Sequence, residues 1–261
     1  MKFFFRYTVI GFFLFLFYLF LSPFSQLARH KLSAIYLSLK YPFYGPRHIE
    51  LSGLLKSDDL HISLPFVKAR MHNTDSFELL SIASLLKDNA AASIFEIGTY
   101  DGRTTMAMAL NLVKEGSHIF TLNLPPKTTN VLLDTSIVDV QLASRVVSGE
   151  RFINTPQQKK ITQLWGDSAT FDFSPYFNSI DFVFIDGAHS LAYVQSDTKT
   201  ALQLIKKSGG VIMWHDAHLF GVVKFLKPWI SNKQLQVYFI KNTSLAIAKV
   251  QNGAITDLLS N

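Results

Sequence analysis

Four side chains that could do chemistry follow two apolar runs in the second half of the sequence. Asp186 and His189 come just after the first run, and His215 and Asp216 come just after the next. If the two runs are neighbouring parallel strands, these side chains meet at one edge of the sheet. Two carboxylates and an imidazole suit a hard divalent cation such as Mg²⁺, held with room left for substrate oxygens. A histidine beside such a site could act as a general base.

Simpler roles remain open for the same residues. His189 could make only a polar contact at the start of the following helix, and His215 could do no more than support Asp216. An aspartate at the end of a strand can also serve to cap the next helix. These four residues therefore predict a polar site without settling the role of each one.

A polar residue ends each of five predicted strands, and this is the strongest functional signal in the chain. Carboxylates are rarely buried without a partner, and in open α/β sheets ligands bind beyond the carboxyl ends of the strands. Capping of the next helix would explain one such residue but not the whole set. The sequence therefore predicts a ligand site formed by Glu96, Asn123, Asp167, Asp186 and Asp216.

The stretch SIFEIGTYDG, residues 93–102, reads as a buried strand and a glycine turn that lead directly into a helix. Gly98 and Gly102 would let the backbone approach a ligand closely, and Glu96 could accept hydrogen bonds from an amine or hydroxyls. The glycine spacing differs from the Gly-x-Gly-x-x-Gly of dinucleotide sites, which disfavours a dinucleotide-dependent oxidoreductase. A tight strand–helix connection with no ligand is the alternative.

Apolar runs alternate with helical patterns from residue 75 onwards, which predicts an α/β fold. One helix, with apolar residues from Leu191 to Ile205, is expected to stop at Ser208-Gly209-Gly210. The last two strands read as a hairpin, so the mostly parallel sheet should have an antiparallel edge. The strands are predicted at residues 94–97, 119–122, 161–165, 180–185, 211–214, 237–240 and 245–248.

The beginning of the chain has a different character. Residues 7–28 are 22 residues without a formal charge, enough for a helix across a bilayer. A cleaved signal peptide is the competing interpretation, but no small-x-small cleavage site follows. We therefore expect a membrane anchor over residues 1–28, a basic linker over 29–72 and a globular domain over 73–261. The basic residues on either side of the span favour a single-pass topology with the domain in the cytoplasm.

The charge of the chain is unevenly distributed. Residues 1–70 carry 9 Lys and Arg against 3 Asp and Glu, whereas residues 71–261 carry 16 of each. The balanced domain argues against nucleic acid as a partner, and the basic first part suits anionic lipid. The absence of cysteine excludes disulfides and thiolate metal sites. The oligomeric state stays open, a homo-oligomer included.

Several motifs occur in an order that resembles the class I S-adenosylmethionine-dependent methyltransferases, most closely the small-molecule and sugar O-methyltransferase branch, some of whose members bind Mg²⁺. The resemblance covers about residues 74–249 and implies a Rossmann-like, doubly wound, seven-stranded sheet whose last pair is antiparallel. It also implies methyl transfer to a hydroxyl of a sugar, lipid-linked glycan or other small acceptor. The motifs are FEIGTYDGRTT, TLNLPP, GDSATFDFSPYFNSIDFVFIDGAHS, SDTKTALQLIKKSGGVIMWHDAH and NTSLAIAKV.

The resemblance assigns roles to particular residues. It implies that S-adenosylmethionine is held through its methionine part and ribose by Glu96, Gly98, Tyr100 and Gly102, and that Asp167 and Ser168 read the adenine. It places metal ligands at Asp186, Asp216 and, less securely, His215. His189 matches the general base of some sugar O-methyltransferases.

One departure from the family pattern concerns Asn123. The acid that normally binds the ribose hydroxyls after the second strand is here an amide, which loses a charge-assisted pair of hydrogen bonds. A loss of roughly 1–2 kcal/mol would weaken cofactor binding about tenfold without abolishing it. Asn123 therefore also motivates an alternative, a membrane-tethered protein that keeps the methyltransferase fold but does not catalyse.

Overall fold

A computed structural model describes Leu16 and residues 48–65, 70, 72–145, 148–231 and 237–256. Apart from Leu16, the predicted membrane anchor lies outside these residues, and so does the linker before residue 48. In the part of the chain that is described, no helix combines the length and the apolar character needed to cross a membrane.

The described chain alternates strands and helices, as the sequence predicts. The strands are β1 (His48–Ile49), β2 (Ser93–Ile97), β3 (His118–Asn123), β4 (Ile161–Trp165), β5 (Phe182–Ile185), β6 (Gly210–Trp214), β7 (Tyr238–Ile240), β8 (Ala246–Gln251) and β9 (Ala254–Thr256). The α-helices are α1 (Ser76–Asp88), α2 (Arg103–Leu110), α3 (Ile137–Arg145), α4 (Leu191–Leu204) and α5 (Phe220–Ser231).

The strands form one sheet in the order β1-β7-β8-β6-β5-β2-β3-β4, with β9 paired to β8. Strands β2 to β6 are parallel to one another, whereas β8 runs antiparallel to both β6 and β7. The predicted mostly parallel sheet with an antiparallel carboxyl-terminal edge is confirmed. Two short strands extend it: β9, and β1, whose His48 pairs with Phe239 although the sequence placed it in the linker.

Each face of the sheet carries its own apolar core, because successive side chains of a strand point to opposite faces. Phe95 of β2 packs in the core that contains Val194 of α4 and Leu226 of α5. Its neighbour Ile94 packs in the other core, with Ile82 of α1. Helices therefore cover both faces, which makes the sheet doubly wound. The carboxyl ends of β2 to β6 lie along one edge, where the predicted site residues are found.

The predicted glycine stop of α4 is wrong. The helix ends at Leu204, and Ile205 turns to an extended conformation and forms an isolated parallel bridge with Ile180. The backbone N–H of Lys206 then donates to the carbonyl of Ile180. Ile205 is fully buried, so its pairing with Ile180 in the core is more favourable than one more turn of helix. Gly209, with φ of 117°, serves the turn into β6 instead.

Candidate active site

Glu96 lies inside the fold at the end of β2, with none of its surface exposed. One carboxylate oxygen accepts hydrogen bonds from the hydroxyls of Thr105 and Thr121, and the other, Oε1, has no hydrogen-bond partner among the described residues. Burial raises the pKa of Glu96 to about 8, and the two hydroxyls offset only part of this effect. An acceptor left free in so buried a position suits a positively charged donor such as a ligand amine.

The two glycines of the turn after β2 are required by the protein's own packing. Gly98 has φ of +99°, and a Cβ built there would lie 2.0 Å from the backbone oxygen of Asp186. Gly102 has φ of +84° and precedes α2, and a Cβ there would lie 2.8 Å from the ring of Phe152. Tyr100, with φ of 47°, completes a turn with three left-handed residues. Whether the turn also approaches a cofactor stays a prediction.

Asn123 ends β3 with all of its side-chain groups engaged. Its Oδ1 lies 3.3 Å from the backbone N–H of Thr99 and 3.5 Å from that of Tyr100, and accepts from both. Its Nδ2 donates to the carbonyls of Leu124, at 3.1 Å, and of Ala143 in α3, at 3.0 Å. A carboxylate could not make the last two bonds. The amide therefore has a structural function here, since it fastens α3 to the end of β3.

Asp167 follows β4 and holds neighbouring segments together. Tyr193 of α4 donates its hydroxyl to both carboxylate oxygens, at 2.8 and 2.9 Å. The backbone N–H of Ala169 donates to one oxygen and that of Leu132 to the other. The carboxylate thus accepts four contacts, its usual capacity, so an adenine amine would have to displace one of them.

Ser168, the second residue predicted at the adenine, lies beside Asp197 of α4. Asp197 is 1% exposed, and neither of its carboxylate oxygens makes a well-formed hydrogen bond. Burial raises the pKa of Asp197 to about 7, and the Ser168 hydroxyl only partly opposes this effect. Asp197 is a buried acid that no sequence motif singles out.

The predicted metal ligands come together at the ends of β5 and β6. One ligand atom each from Asp186, His215 and Asp216 lie within 4.8 Å of one another. Nδ1 of His215 is 3.0 Å from Asp186 Oδ1 and 3.5 Å from Asp216 Oδ2. Asp216 adopts the left-handed conformation, with φ of 48°, which aspartate tolerates better than most residues.

The chemistry of this donor set fits a divalent cation. His215 is 8% exposed, and its Nδ1 has no hydrogen-bond partner in the described part of the chain, although it faces two carboxylates. Burial lowers the pKa of His215, but Asp186 and Asp216 outweigh it and raise the pKa well above its usual value. The site therefore attracts positive charge, which a proton or a metal ion can supply.

His189 lies next to this cluster and contacts a carboxylate at each ring nitrogen. Its Nδ1 is 3.3 Å from Asp139 in α3, and its Nε2 is 3.3 Å from Asp216. Burial lowers the pKa of His189, but hydrogen bonding to Asp139 and Asp216 and the charge of Asp186 raise it to about 10. The ring is then a cation at neutral pH, so it can accept a proton only when other positive charge offsets these carboxylates.

The structure therefore brings Asp186, His189, His215 and Asp216 together, as predicted, and adds two acids that the sequence did not assign to the site. Asp139 lies in the region 127–160, where the sequence is polar and irregular. Glu78 follows Asp75 by three residues, a spacing typical of a helix start, and the capping box of these two residues is present at the start of α1. Its second partner, His215, is 137 residues away in the chain.

A surface depression of about 620 Å³ lies elsewhere on the described part of the molecule. Phe177 and Asn178 line it before β5, and Lys207 lines it before β6. It thus opens at the amino ends of the strands, opposite the polar cluster. The convergence of polar side chains, and not this depression, identifies the candidate active site.

Part of the chain is similar to known proteins. A family model described as a methyltransferase domain matches residues 95–217, which run from β2 to just past Asp216. An O-methyltransferase from Bacillus cereus in complex with SAH is 16% identical, with a TM-score of 0.48, and the match covers 72% of this chain and 84% of that one. An SAH-bound methyltransferase from Podospora anserina is 16% identical, with a TM-score of 0.49 and coverages of 69% and 80%. No curated protein matches the chain.

Proposed function

We propose that this chain, whose residues 95–217 match a family model described as a methyltransferase domain, is a class I S-adenosylmethionine-dependent methyltransferase that methylates a hydroxyl group with the help of a divalent cation. The observation that carries the proposal is the cluster of Asp186, His215 and Asp216, whose ligand atoms lie within 4.8 Å of one another. His189 stands beside it, 3.3 Å from Asp216. A neutral hydroxyl is a poor nucleophile, so its methylation benefits from both a cation and a proton acceptor.

The residues around β2 and β4 would hold the cofactor, which supplies an activated methyl group on a sulfonium. The free Oε1 of buried Glu96 supports binding of the amine of the methionine part. The turn with Gly98, Tyr100 and Gly102 would bound the methionine and ribose, with Asn123 at the ribose. Asp167 and Ser168 would line the adenine, with Asp167 already fixed by Tyr193.

The acceptor hydroxyl would lie between the cation site and His189. Asp186, His215 and Asp216 would hold the cation, which lowers the pKa of a hydroxyl bound to it. His189 would take the proton as the methyl group is transferred, so we assign catalytic roles to His189 and Asp186. Asp139 orients the ring through Nδ1 and leaves Nε2 facing the cation site.

The acceptor that we propose is a sugar or lipid-linked glycan at a membrane surface. Two features support this choice. Apolar side chains are exposed close to two residues of the site. Leu132, whose backbone N–H donates to Asp167, is 65% exposed, and Ile137 and Val138, which precede Asp139, are 72% and 53% exposed. The uncharged residues 7–28 are long enough for a single-pass anchor, and the basic residues after them suit anionic lipid on the cytoplasmic side.

The experiment is a methyl-transfer assay with the full chain in detergent micelles. Labelled S-adenosylmethionine is offered with hydroxylated acceptors, free sugars and lipid-linked glycans included, with divalent cation or with chelator. We expect transfer that needs the cation and that His189→Ala lowers by about 100-fold or more. His61→Ala, at an exposed histidine away from the cluster, is the matched control. Calorimetric binding of S-adenosylmethionine without any transfer to the acceptor panel would contradict the proposed hydroxyl chemistry.

A further inference from the structure

The two ring nitrogens of His215 have different surroundings. Nε2 lies 3.1 Å from Oε2 of Glu78, within hydrogen-bond distance. Among the residues that the structure describes, Nδ1 has no hydrogen-bond partner, and it faces Asp186 at 3.0 Å and Asp216 at 3.5 Å. The ring is 8% exposed, so water has little access to Nδ1. This buried nitrogen points into the cluster of carboxylates.

Glu78 is itself held firmly in place. It is 5% exposed, and its Oε1 accepts hydrogen bonds from the backbone N–H of Ser244, at 2.7 Å, and from the Ser244 hydroxyl, at 2.6 Å. Its Oε2 also accepts from the backbone N–H of Asp75, at 3.1 Å, in the capping box of α1. The groups of Ser244 and Asp75 that contact the Glu78 carboxylate are all donors, so this carboxylate acts as an acceptor at the His215 ring.

An acceptor-only carboxylate at Nε2 decides which nitrogen of His215 carries hydrogen. Nε2 must donate to Glu78, so in the neutral ring the lone pair is on Nδ1. That lone pair and the two carboxylates then face one another across less than 5 Å. Three electron-pair donors so close together stabilise a cation between them. A carboxylate at the outer nitrogen of a ligating histidine is also a recurrent way of fixing its orientation.

We propose that the Glu78–His215 pair makes this a mixed nitrogen and oxygen site that binds a later first-row transition-metal dication, such as Co²⁺ or Zn²⁺, in preference to Mg²⁺. The inference rests on the proposed function for the presence of a cation. It replaces Mg²⁺, the ion that the sequence suggested, with a transition-metal ion. Mg²⁺ favours all-oxygen surroundings, whereas imidazole strengthens binding of the later first-row ions. Glu78 is a positioning residue in this site, since it acts on the metal only through His215.

The test is a metal titration of the full-length chain without an affinity tag, dialysed against chelator. Co²⁺ is followed by its visible absorption, which reports nitrogen coordination, and Mg²⁺ by its ability to compete. We expect Co²⁺ to bind more tightly than Mg²⁺ by on the order of 100-fold. Glu78→Gln should weaken Co²⁺ binding by about 10- to 100-fold. Glu115→Gln, at an exposed acid, should leave the affinity unchanged.

A second variant keeps the proposal testable if Glu78→Gln misfolds. His215→Asp turns the site into three carboxylates, so we expect it to lose the nitrogen-dependent absorption and most of the preference for Co²⁺. The proposal is overturned if no divalent cation binds, if Mg²⁺ binds as tightly as Co²⁺, or if His215→Asp keeps the same preference. Calorimetry with S-adenosylmethionine on the same samples separates this outcome from failure of the proposed methyl transfer, because the metal titration needs no cofactor.

Discussion

At the scale of single residues, the site is controlled by carboxylates that act on histidines. Asp139 shows this most directly, because its carboxylate contacts both the ring Nδ1 of His189, at 3.3 Å, and the backbone N–H of His189, at 3.2 Å. The ring is thereby fixed with Nε2 towards Asp216. A group that only orients a base should affect the rate of the reaction more than the binding of substrate.

Asp139→Asn tests this role. Asparagine keeps an oxygen for the backbone N–H but loses the charge that holds the ring, so we expect kcat to fall by about 10- to 100-fold with little change in KM for S-adenosylmethionine. Initial rates at varied cofactor concentration measure the two parameters separately. Asp134→Asn changes an exposed acid of the same region and should have no effect. An equal loss in both variants, or a rise in KM alone, would contradict the orienting role.

Asp197 leads to a prediction about stability and pH. Its pKa is raised by burial to about 7 in the folded chain, against 3.8 as the ordinary value. The raised value means that the folded state resists ionisation, so this residue lowers the free energy of unfolding as pH rises from about 4 to about 7. In Asp197→Asn the side chain cannot ionise, so the free energy of unfolding should no longer fall over this pH range.

Denaturant unfolding at pH 5 and pH 8 measures the effect of Asp197→Asn. We expect the variant to be more stable than the native chain at pH 8 by about 2–4 kcal/mol, and by less at pH 5. Asp59→Asn, at an exposed position, serves as the control. A variant that is less stable at pH 8 would show that the buried carboxylate has partners on which the fold depends.

At the scale of elements, α3 links the end of β3 to His189. Asn123 donates to the carbonyl of Ala143 in α3, and four residues earlier Asp139 binds His189. The amide at position 123 therefore has a function that an acid could not perform, which argues against the idea that it marks a degenerate site. Through α3, it also connects the end of β3 with His189, which follows β5.

Asn123→Asp separates these interpretations. Aspartate would bring a negative charge towards the carbonyls of Leu124 and Ala143, so we expect a loss of about 1–3 kcal/mol in stability and no gain in affinity for S-adenosylmethionine. Thermal unfolding and calorimetric titration of the two chains give both quantities. A tighter complex with the aspartate variant would instead support a site weakened by loss of the family's acid.

The turn after β2 gives a further prediction at this scale. Gly98→Ala adds a Cβ that would lie 2.0 Å from the backbone oxygen of Asp186, at φ of +99°. Gly116→Ala is the matched control, because Gly116 also has positive φ but no atom within 4 Å of the new Cβ. The control should cost about 1 kcal/mol and Gly98→Ala about 3 kcal/mol or more in the free energy of unfolding. Equal costs would mean that the β2 turn and the Asp186 loop can move apart.

The alternation of strands and helices could be predicted from the sequence because each strand is a short apolar run with a polar residue at its end. That pattern also located Glu96, Asp186 and Asp216, since parallel strands end at a common edge. Asp139 could not be found in this way, because region 127–160 has no hydrophobic period. The pairing of Glu78 with His215 depends on the order of strands in the sheet, which places the Ser244 turn beside α1. Local patterns do not contain that order.

At the scale of the whole molecule, charge separates the chain into two parts. The first 70 residues hold 9 basic and 3 acidic residues, whereas the remainder is balanced. The basic excess therefore surrounds the uncharged residues 7–28 and not the sheet with its active site. This distribution suits a catalytic domain held close to an anionic membrane surface, where exposed Leu132, Ile137 and Val138 could meet an acceptor with an apolar portion.

Replacing Leu14 and Phe17 together by arginine tests the membrane anchor. We expect the native full chain to stay with membranes after alkaline carbonate extraction. Each arginine near the middle of a span costs roughly 2.5–3.5 kcal/mol, so the double variant should move to the soluble fraction. Gln26→Arg, close to the end of the same uncharged stretch, should remain with the membrane because a long side chain there can reach the interface. Release of the native chain by carbonate, or an intact mass that shows cleavage near residue 28, would contradict the anchor. Either result would also weaken the case for a lipid-linked acceptor, because nothing would then hold the site at a membrane surface.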